Sequence, residues 1–419
     1  MAACFRPGLL LGVVLILSST IGGTQAAVVV TTTAVETLHD AIAEAWSRLP
    51  QRAEAKAAED VAAAKFRSGG ALFPNAPYSD GEYDDDRAGS NDNYHTTRIG
   101  VGTPLWLPGE GTATQRAASA EGRAAIAGGE AAHFALAQQV LDLATRAWLA
   151  KVSKDVAQAR LRSDQALSVA AANQFRVGEG AQSDALAADA AAQTDALDVN
   201  DADANLGAAL IALSTLTGRD TLPVLTADRA QRDVAFIRDN QDVIELNPRV
   251  VAERVVFEAA EARERLVRVQ DRADPELGLQ VTNDKQPGSP WDTRLGVVFR
   301  VPFASAGRNA PLRAAASQEV TRAMVQLALA RREVAASLRE ATVRYAAAER
   351  AAVAAKRAAD DLLRRRQQIH RAWTVGEMPL IEAIRANSAA FEAELTHHRT
   401  SIQRDAAVQR LILASGRLP

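Results

Sequence analysis

The chain reads as mostly α with a small β part: long helical rods packed as coiled coils, plus four strands suited to a membrane. Three observations carry that expectation. The same punctuation recurs 198 residues apart, since Leu49-Pro50 returns as Asn247-Pro248, Pro104 as Pro302, Val177-Gly178-Glu179 as Val375-Gly376-Glu377, and Gly218-Arg219 as Gly416-Arg417. A shared offset at four landmarks reads as a tandem duplication. Two alanine-rich helical stretches then run almost without proline, and short segments alternate apolar residues with Arg and Gly.

The bulk numbers agree. In a chain of 419 residues only 5% are aromatic, which suits thin, closely packed helices better than a thick core. A net charge of −3 gives no reason to expect a nucleic-acid partner. The single cysteine, Cys4, excludes an internal disulfide or a cysteine metal site in the mature protein. Arg6, the apolar Leu9 to Leu17 and the small-x-small Thr24-Gln25-Ala26 read as a cleaved secretory signal over 1–26. Export is the expected consequence. No lipid anchor is expected, because no cysteine stands directly after the cleavage point. No later segment is apolar enough to cross a bilayer as a helix, so strands must make any crossing.

In the first repeat, 27–219, a helical pattern runs from about Glu36 to Arg67 and stops at Ser68-Gly69-Gly70. Leu72 to Tyr78 is a weak strand candidate interrupted by Pro74 and Pro77, and the acidic Asp80 to Asn93 reads as a solvent loop. Arg98 to Trp106 alternates, with Ile99, Val101, Thr103 and Leu105 on one face and Arg98, Gly100, Gly102 and Pro104 on the other. In the second repeat, 241–419, Leu277, Leu279 and Val281 alternate with Gly278, Gln280 and Thr282, and a loop follows from Asn283 to Pro290. Leu295, Val297, Phe299, Val301 and Phe303 then alternate with Arg294, Gly296, Val298, Arg300 and Pro302. An apolar face of Ile99, Val101, Leu105, Leu295, Val297, Phe299 and Phe303 opposite Arg and Gly suits lipid on one side and water on the other. A half-buried hairpin in a soluble sheet is the other reading.

After each strand pair comes a rod, roughly Ala113 to Phe175 and Arg308 to Trp373. About 60 residues make roughly 90 Å of helix, which must pack along its length against others. Gly128-Gly129 is a soft spot in the first rod. Return helices follow from about Ser183 to Leu216 and from Pro379 to Ala414, and a linker over 220–240 joins the halves as a small mixed region.

Four strands cannot close a membrane barrel, which needs about eight. Several chains must therefore share one. Asp184, Asp189, Asp195, Asp198, Asp201 and Asp203 form an acidic run on a helix otherwise rich in alanine. Such a run can favour cations in a pore, or it can pair with Arg357, Arg364, Arg365, Arg366 and Arg371 of the opposing rod. Adjacent His397 and His398 point about 100° apart and chelate poorly together. Asp84-Asp85-Asp86 lacks an EF-hand pattern. No catalytic constellation stands out, so an enzyme is not expected, nor a cofactor.

With these features the mature chain resembles the outer membrane efflux protein (TolC) family over nearly its full length. The characteristic residues are the turns Phe175-Arg176-Val177-Gly178-Glu179, followed by Asp184 and Leu186, and Trp373-Thr374-Val375-Gly376-Glu377, followed by Glu382, with the ending Leu216-Thr217-Gly218. The resemblance implies a homotrimer sharing a twelve-stranded barrel in the outer membrane lipid of a Gram-negative bacterium, with a helical tunnel across the periplasm. It implies a passive exit duct for a tripartite efflux system, in which an inner-membrane pump and a periplasmic adaptor supply energy and substrate. The adaptor would dock on Arg176, Val177, Gly178, Glu179, Val375, Gly376 and Glu377, and Asp184, Trp373, Glu382 and Arg385 would stand at the periplasmic gate. Met378 and Arg385 depart from the arginine and aspartate that drug-exporting members can carry there, so a rearranged gate is expected in which Arg385 pairs with an acid across the constriction. The compact length and the missing lipid-attachment cysteine resemble the branch serving heavy-metal (cobalt-zinc-cadmium) exporters. A duct for drugs or secreted polypeptides, or a soluble periplasmic coiled-coil scaffold, are the alternatives.

Overall fold

The computed structural model describes residues 37–225 and 241–419. The expected signal peptide and most of the linker lie outside the described residues. The first helix, α1 (Leu38–Arg48), starts in a capping box in which the Thr37 hydroxyl and the Asp40 carboxylate satisfy each other's backbone N–H. α2 (Pro50–Gly69) follows at once. The single helix expected from Glu36 to Arg67 is therefore two. Pro50 has no N–H to continue the ladder and forces Leu49 into extended backbone, φ −75° and ψ 132°.

The four strands are β1 (Tyr78–Asp85), β2 (His95–Pro104), β3 (Glu276–Lys285) and β4 (Asp292–Arg300), in one antiparallel sheet of order β1-β2-β3-β4. Several strand expectations need correction. The solvent loop placed over Asp80 to Asn93 is strand as far as Asp85, and the candidate Leu72 to Tyr78 contributes only its last residue. β3 runs on to Lys285, past the expected start of its loop. Leu105 lies beyond the end of β2, half-buried, with its N–H donated 2.7 Å to the Pro275 carbonyl, so it is not a residue of the lipid-facing strand. Phe303 likewise follows the end of β4, although it stays 89% exposed.

The rods are α3 (Glu110–Arg176) and α6 (Ala306–Thr374), of 67 and 69 residues, each about 100 Å long at 1.5 Å per residue. α4 (Gln182–Thr217) returns along the lower part of α3, and α7 (Leu380–Ala414) along α6. α5 (Pro248–Val269) begins at Pro248, with the Asn247 side chain capping its first turn and also donating 3.1 Å to the Ala414 carbonyl. Toward the sheet the helices pack in the order α2-α3-α5-α6, and toward the turns in the order α4-α3-α7-α6. Each rod thus carries two shorter helices end to end.

The packing lines keep coiled-coil spacing. On α4 the covered positions are Ala185, Ala188, Ala192, Asp195, Val199 and Ala202, steps of three and four. Gly128 and Gly129 do not interrupt α3. A Cβ on Gly129 would stand 3.3 Å from Ala55 Cβ, so that glycine serves the close approach of α2. Midway along the rods, α1 seats Leu38, Ile42 and Ala45 against Leu136, Val140 and Leu141 of α3, with Leu213, Leu225 and Leu413 closing the cluster. The described end of the linker joins this layer through a parallel bridge between Thr37 and Val224.

Candidate functional site

Two regions answer to the expected sites, the sheet at one end of the rods and the turns at the other. In the sheet the register sets Ile99 against Val281 and Val281 against Leu295, Val101 against Leu279 and Leu279 against Val297, and Leu277 against Phe299. All eight side chains are exposed, Leu295 and Phe299 by 75% each. The other face is charged and cross-linked between strands: Arg98 pairs with Glu82 at 2.8 Å, Arg300 with Glu276 at 3.3 Å, and Arg294 with Asp284. An uncovered apolar band backed by a polar face is unfavourable in water and fits a bilayer with an aqueous lumen. Aromatic rings bracket the band. His95 stacks with Tyr83 and Trp291 at its outer end, with Lys285 Nζ 5.7 Å above the indole, and Phe299 and Phe303 stand at the end nearer the rods. No helix among the described residues is long and apolar enough to cross a membrane.

Both turns reverse the chain through a left-handed glycine, Gly178 at φ 83° and Gly376 at φ 81°. The Glu179 N–H returns 2.8 Å to the Gln174 carbonyl and the Glu377 N–H 2.9 Å to the Ala372 carbonyl, the same closure in both repeats. Arg176, Val177, Gly178, Glu179, Val375, Gly376 and Glu377 are all exposed, and both valines are 70% exposed. Between the turns, Leu167, Ala171, Ala188, Trp373, Leu380 and Ala383 form a small core that joins the two hairpins. Trp373 is thus a core residue of the tip, packed 5.6 Å from the His370 ring. Asp184 and Glu382 lie in the first turns of α4 and α7, where a negative charge complements the helix dipole. Within the chain Arg385 donates 2.8 Å to Glu382, one turn earlier on its own helix.

Just above the tip core lies a group that reading the sequence did not bring together. Asp164 of α3 and Asp195 of α4 are each 1% exposed and face each other beside Arg160, whose Nε stands 2.9 Å from Asp195. Asn387 of α7 donates to Asp164 and accepts 3.1 Å from the Ser163 hydroxyl. Burial, with the hydrogen bond to Asp164, pushes the Asp195 carboxyl up to about 7 against the pull of Arg160. The signal was present in the spacing, because Asp195 occupies a covered position in the α4 packing line.

Other candidates resolve as ordinary structure. Asp86 accepts from Asp92 N and the Ser90 hydroxyl, and Asp85 from Arg87 N and the Tyr83 hydroxyl, so these acids shape their own loop. The His398 ring stands 3.9 Å from Glu394. No group of three or more potential metal-binding side chains occurs among the described residues.

The long paired rods, the two glycine turns and an open four-stranded sheet with an apolar face together define the fold of TolC-type outer membrane channels. Among solved structures, the chain is similar to the outer membrane protein VceC of Vibrio cholerae, with 15% identity, a TM-score of 0.71, and coverage of 91% of this chain and 96% of that one. It is similar to the CmeC outer membrane channel of Campylobacter jejuni at 16% identity and a TM-score of 0.71, covering 96% and 93%. CusC, described for its folding and transmembrane channel formation, matches at 16% identity and a TM-score of 0.71, covering 91% and 92%. No protein-family model matches the chain. No curated protein matches it either.

Proposed function

We propose that this protein is a passive outer membrane exit duct of a tripartite efflux system, built from three copies of the chain. The carrying observation is the sheet, whose exposed band of Ile99, Val101, Val281, Leu295, Val297 and Phe299 backs onto a charged face. A soluble scaffold would leave that band in water. Among the described residues both sheet edges, β1 and β4, are unpaired, and an open edge invites another strand. With an even number of antiparallel strands, β1 and β4 run oppositely, so β4 of one copy can pair antiparallel with β1 of the next. Three copies then give twelve strands, the count that the sequence resemblance implies.

The two exposed tips are the proposed docking points for a periplasmic adaptor, which would connect an inner-membrane pump to the duct. Asp184, Trp373, Glu382 and Arg385 are the proposed gate, with Trp373 acting from the tip core. The proposed cargo is heavy-metal cations, on the resemblance to that branch, and the acidic α4 suits a passage that favours cations. A duct needs no ligand set for its cargo. The deciding experiment is single-channel recording in planar bilayers of the detergent-purified protein, with its mass measured alongside. Discrete long-lived channels from a trimer with cation-favouring reversal potentials are expected. A soluble monomer that never inserts would overturn the reading.

A further inference from the structure

The polar face of the sheet holds a recess of about 400 Å³ floored by Gly100, Gly102 and Gly278. The register makes these near neighbours, with Gly102 opposite Gly278 and Gly100 two residues along β2. No side chain rises from that floor, and β1 leans over it. Tyr78 stands opposite Gly102, and Asp80 opposite Gly100. A Cβ on Gly102 would lie 2.8 Å from both Cζ and Oη of Tyr78, and a Cβ on Gly100 2.6 Å from Oδ1 of Asp80. The Tyr78 ring thus lies across β2 in space that only a glycine leaves free.

What the ring reaches holds it there. The Tyr78 hydroxyl donates 2.7 Å to Glu276 Oε2 on β3, and Arg300 Nη1 on β4 donates 3.3 Å to the same oxygen. One run of hydrogen bonds therefore spans the sheet from β1 to β4, at the end nearer the rods. Bonds to a carboxylate are the stronger kind. The backbone follows the same plan. A Cβ on Gly278 would stand 2.9 Å from the Val101 carbonyl oxygen and 3.3 Å from the Gly102 Cα, so β2 and β3 fold toward each other on the polar face and make it concave. A side chain that stands up from a concave wall points into the space it encloses. One that lies along the wall does not. The positions 198 residues after Tyr78 and Gly102 are Glu276 and Arg300, so in the second hairpin an arginine stands where the first has its glycine seat.

We infer that Tyr78 sets the bore of the duct where the sheet meets the rods: seated on Gly102 and tied to Glu276 it lies along the wall, and released it stands in the passage. This rests on the proposed duct, in which the polar face lines the lumen, and its test separates the two. The contact at Gly102 is with the far end of a side chain, so an added methyl there displaces the ring and spares the strands. At Gly278 the contact is with backbone, and a methyl would shift the strands themselves. Releasing the ring leaves the charge of the wall unchanged, because Glu276 keeps Arg300. Its effect on permeation is therefore one of size.

The test is single-channel recording of the detergent-purified protein in planar bilayers, with the mass of each variant measured alongside. Gly102→Ala should lose unitary conductance, and adding Tyr78→Ala to it should restore the wild-type level or exceed it. Tyr78→Phe keeps the ring and drops its tether. It should flicker below the wild-type level with the reversal potential unmoved. Should Gly102→Ala fail to insert, Tyr78→Phe and Tyr78→Ala carry the comparison, the first losing conductance and the second not. Wild-type conductance in every inserted variant would overturn the seat and leave the duct standing. A loss in Gly102→Ala that removing the ring does not reverse would mean a distorted wall, and would overturn it equally. A wild-type protein that forms no channel would sink the duct and the seat with it.

Discussion

Asp195 is a carboxylic acid kept partly protonated near neutral pH by its surroundings. Its folded value of about 7 lies above the ordinary 3.8, so between those limits the native state holds more proton than the unfolded chain. Stability from this group is complete below about pH 4 and is lost as pH rises toward 7. Chemical denaturation at pH 5 and pH 8 should show the protein less stable at pH 8 by roughly 2–4 kcal/mol from this site, and Asp195→Asn should flatten the difference. A wild-type protein with equal stability at both values would contradict the raised Asp195 value. At the turns, Gly178→Ala and Gly376→Ala each force a side chain into left-handed backbone, at a cost of about 1–2 kcal/mol. Both should lower the thermal midpoint, the double variant by about the sum. Arg385→Ala frees Glu382 from its neighbour. It should raise the open fraction in single-channel records, and unchanged conductance and gating would remove Arg385 from the gate.

Whether an element was legible in advance depended on how much of its pattern was apolar. β2, β3 and β4 alternate aliphatic residues with Arg, Gly and Thr, so the alternation stood out. β1 is Tyr-Ser-Asp-Gly-Glu-Tyr-Asp-Asp, of which Glu82 and Asp84 face the polar side and meet Arg98, and without tertiary partners it reads as loop. The two faces make a direct prediction. Val297→Arg on the apolar band should cost about 2–4 kcal/mol near the bilayer midplane and abolish insertion or heat-resistant assembly, while Thr282→Arg on the opposite face should insert normally. Equal tolerance at both positions would mean that the band does not face lipid. Among the helices, the rods and their returns fall within a few residues of expectation, because proline and glycine mark their ends. Leu49-Pro50 is visible as punctuation, yet apolar spacing continues across it and masks the helix break.

At the scale of the molecule, the four-stranded sheet leaves β1 and β4 as open edges among the described residues, and an open edge invites another strand. In the proposed assembly β4 of one copy pairs with β1 of the next. The proposed channel should therefore be more sensitive to changes at the β1 and β4 edges than to changes at the exposed alanines of α7. Mass measurement of edge variants in detergent checks this.

The sequence by itself determined the repeated punctuation, the rods and the glycine turns, since each follows from local chemistry: periodic burial and φ restriction. Only the tertiary structure decided that Asp164, Asp195 and Asn387 meet, that Trp373 is core, and that α4 and α6 are opposite edges of one layer. The reason is physical. Those facts depend on which helix lies beside which, and interhelical adjacency comes from packing between residues far apart along the chain, which periodicity along one helix does not encode.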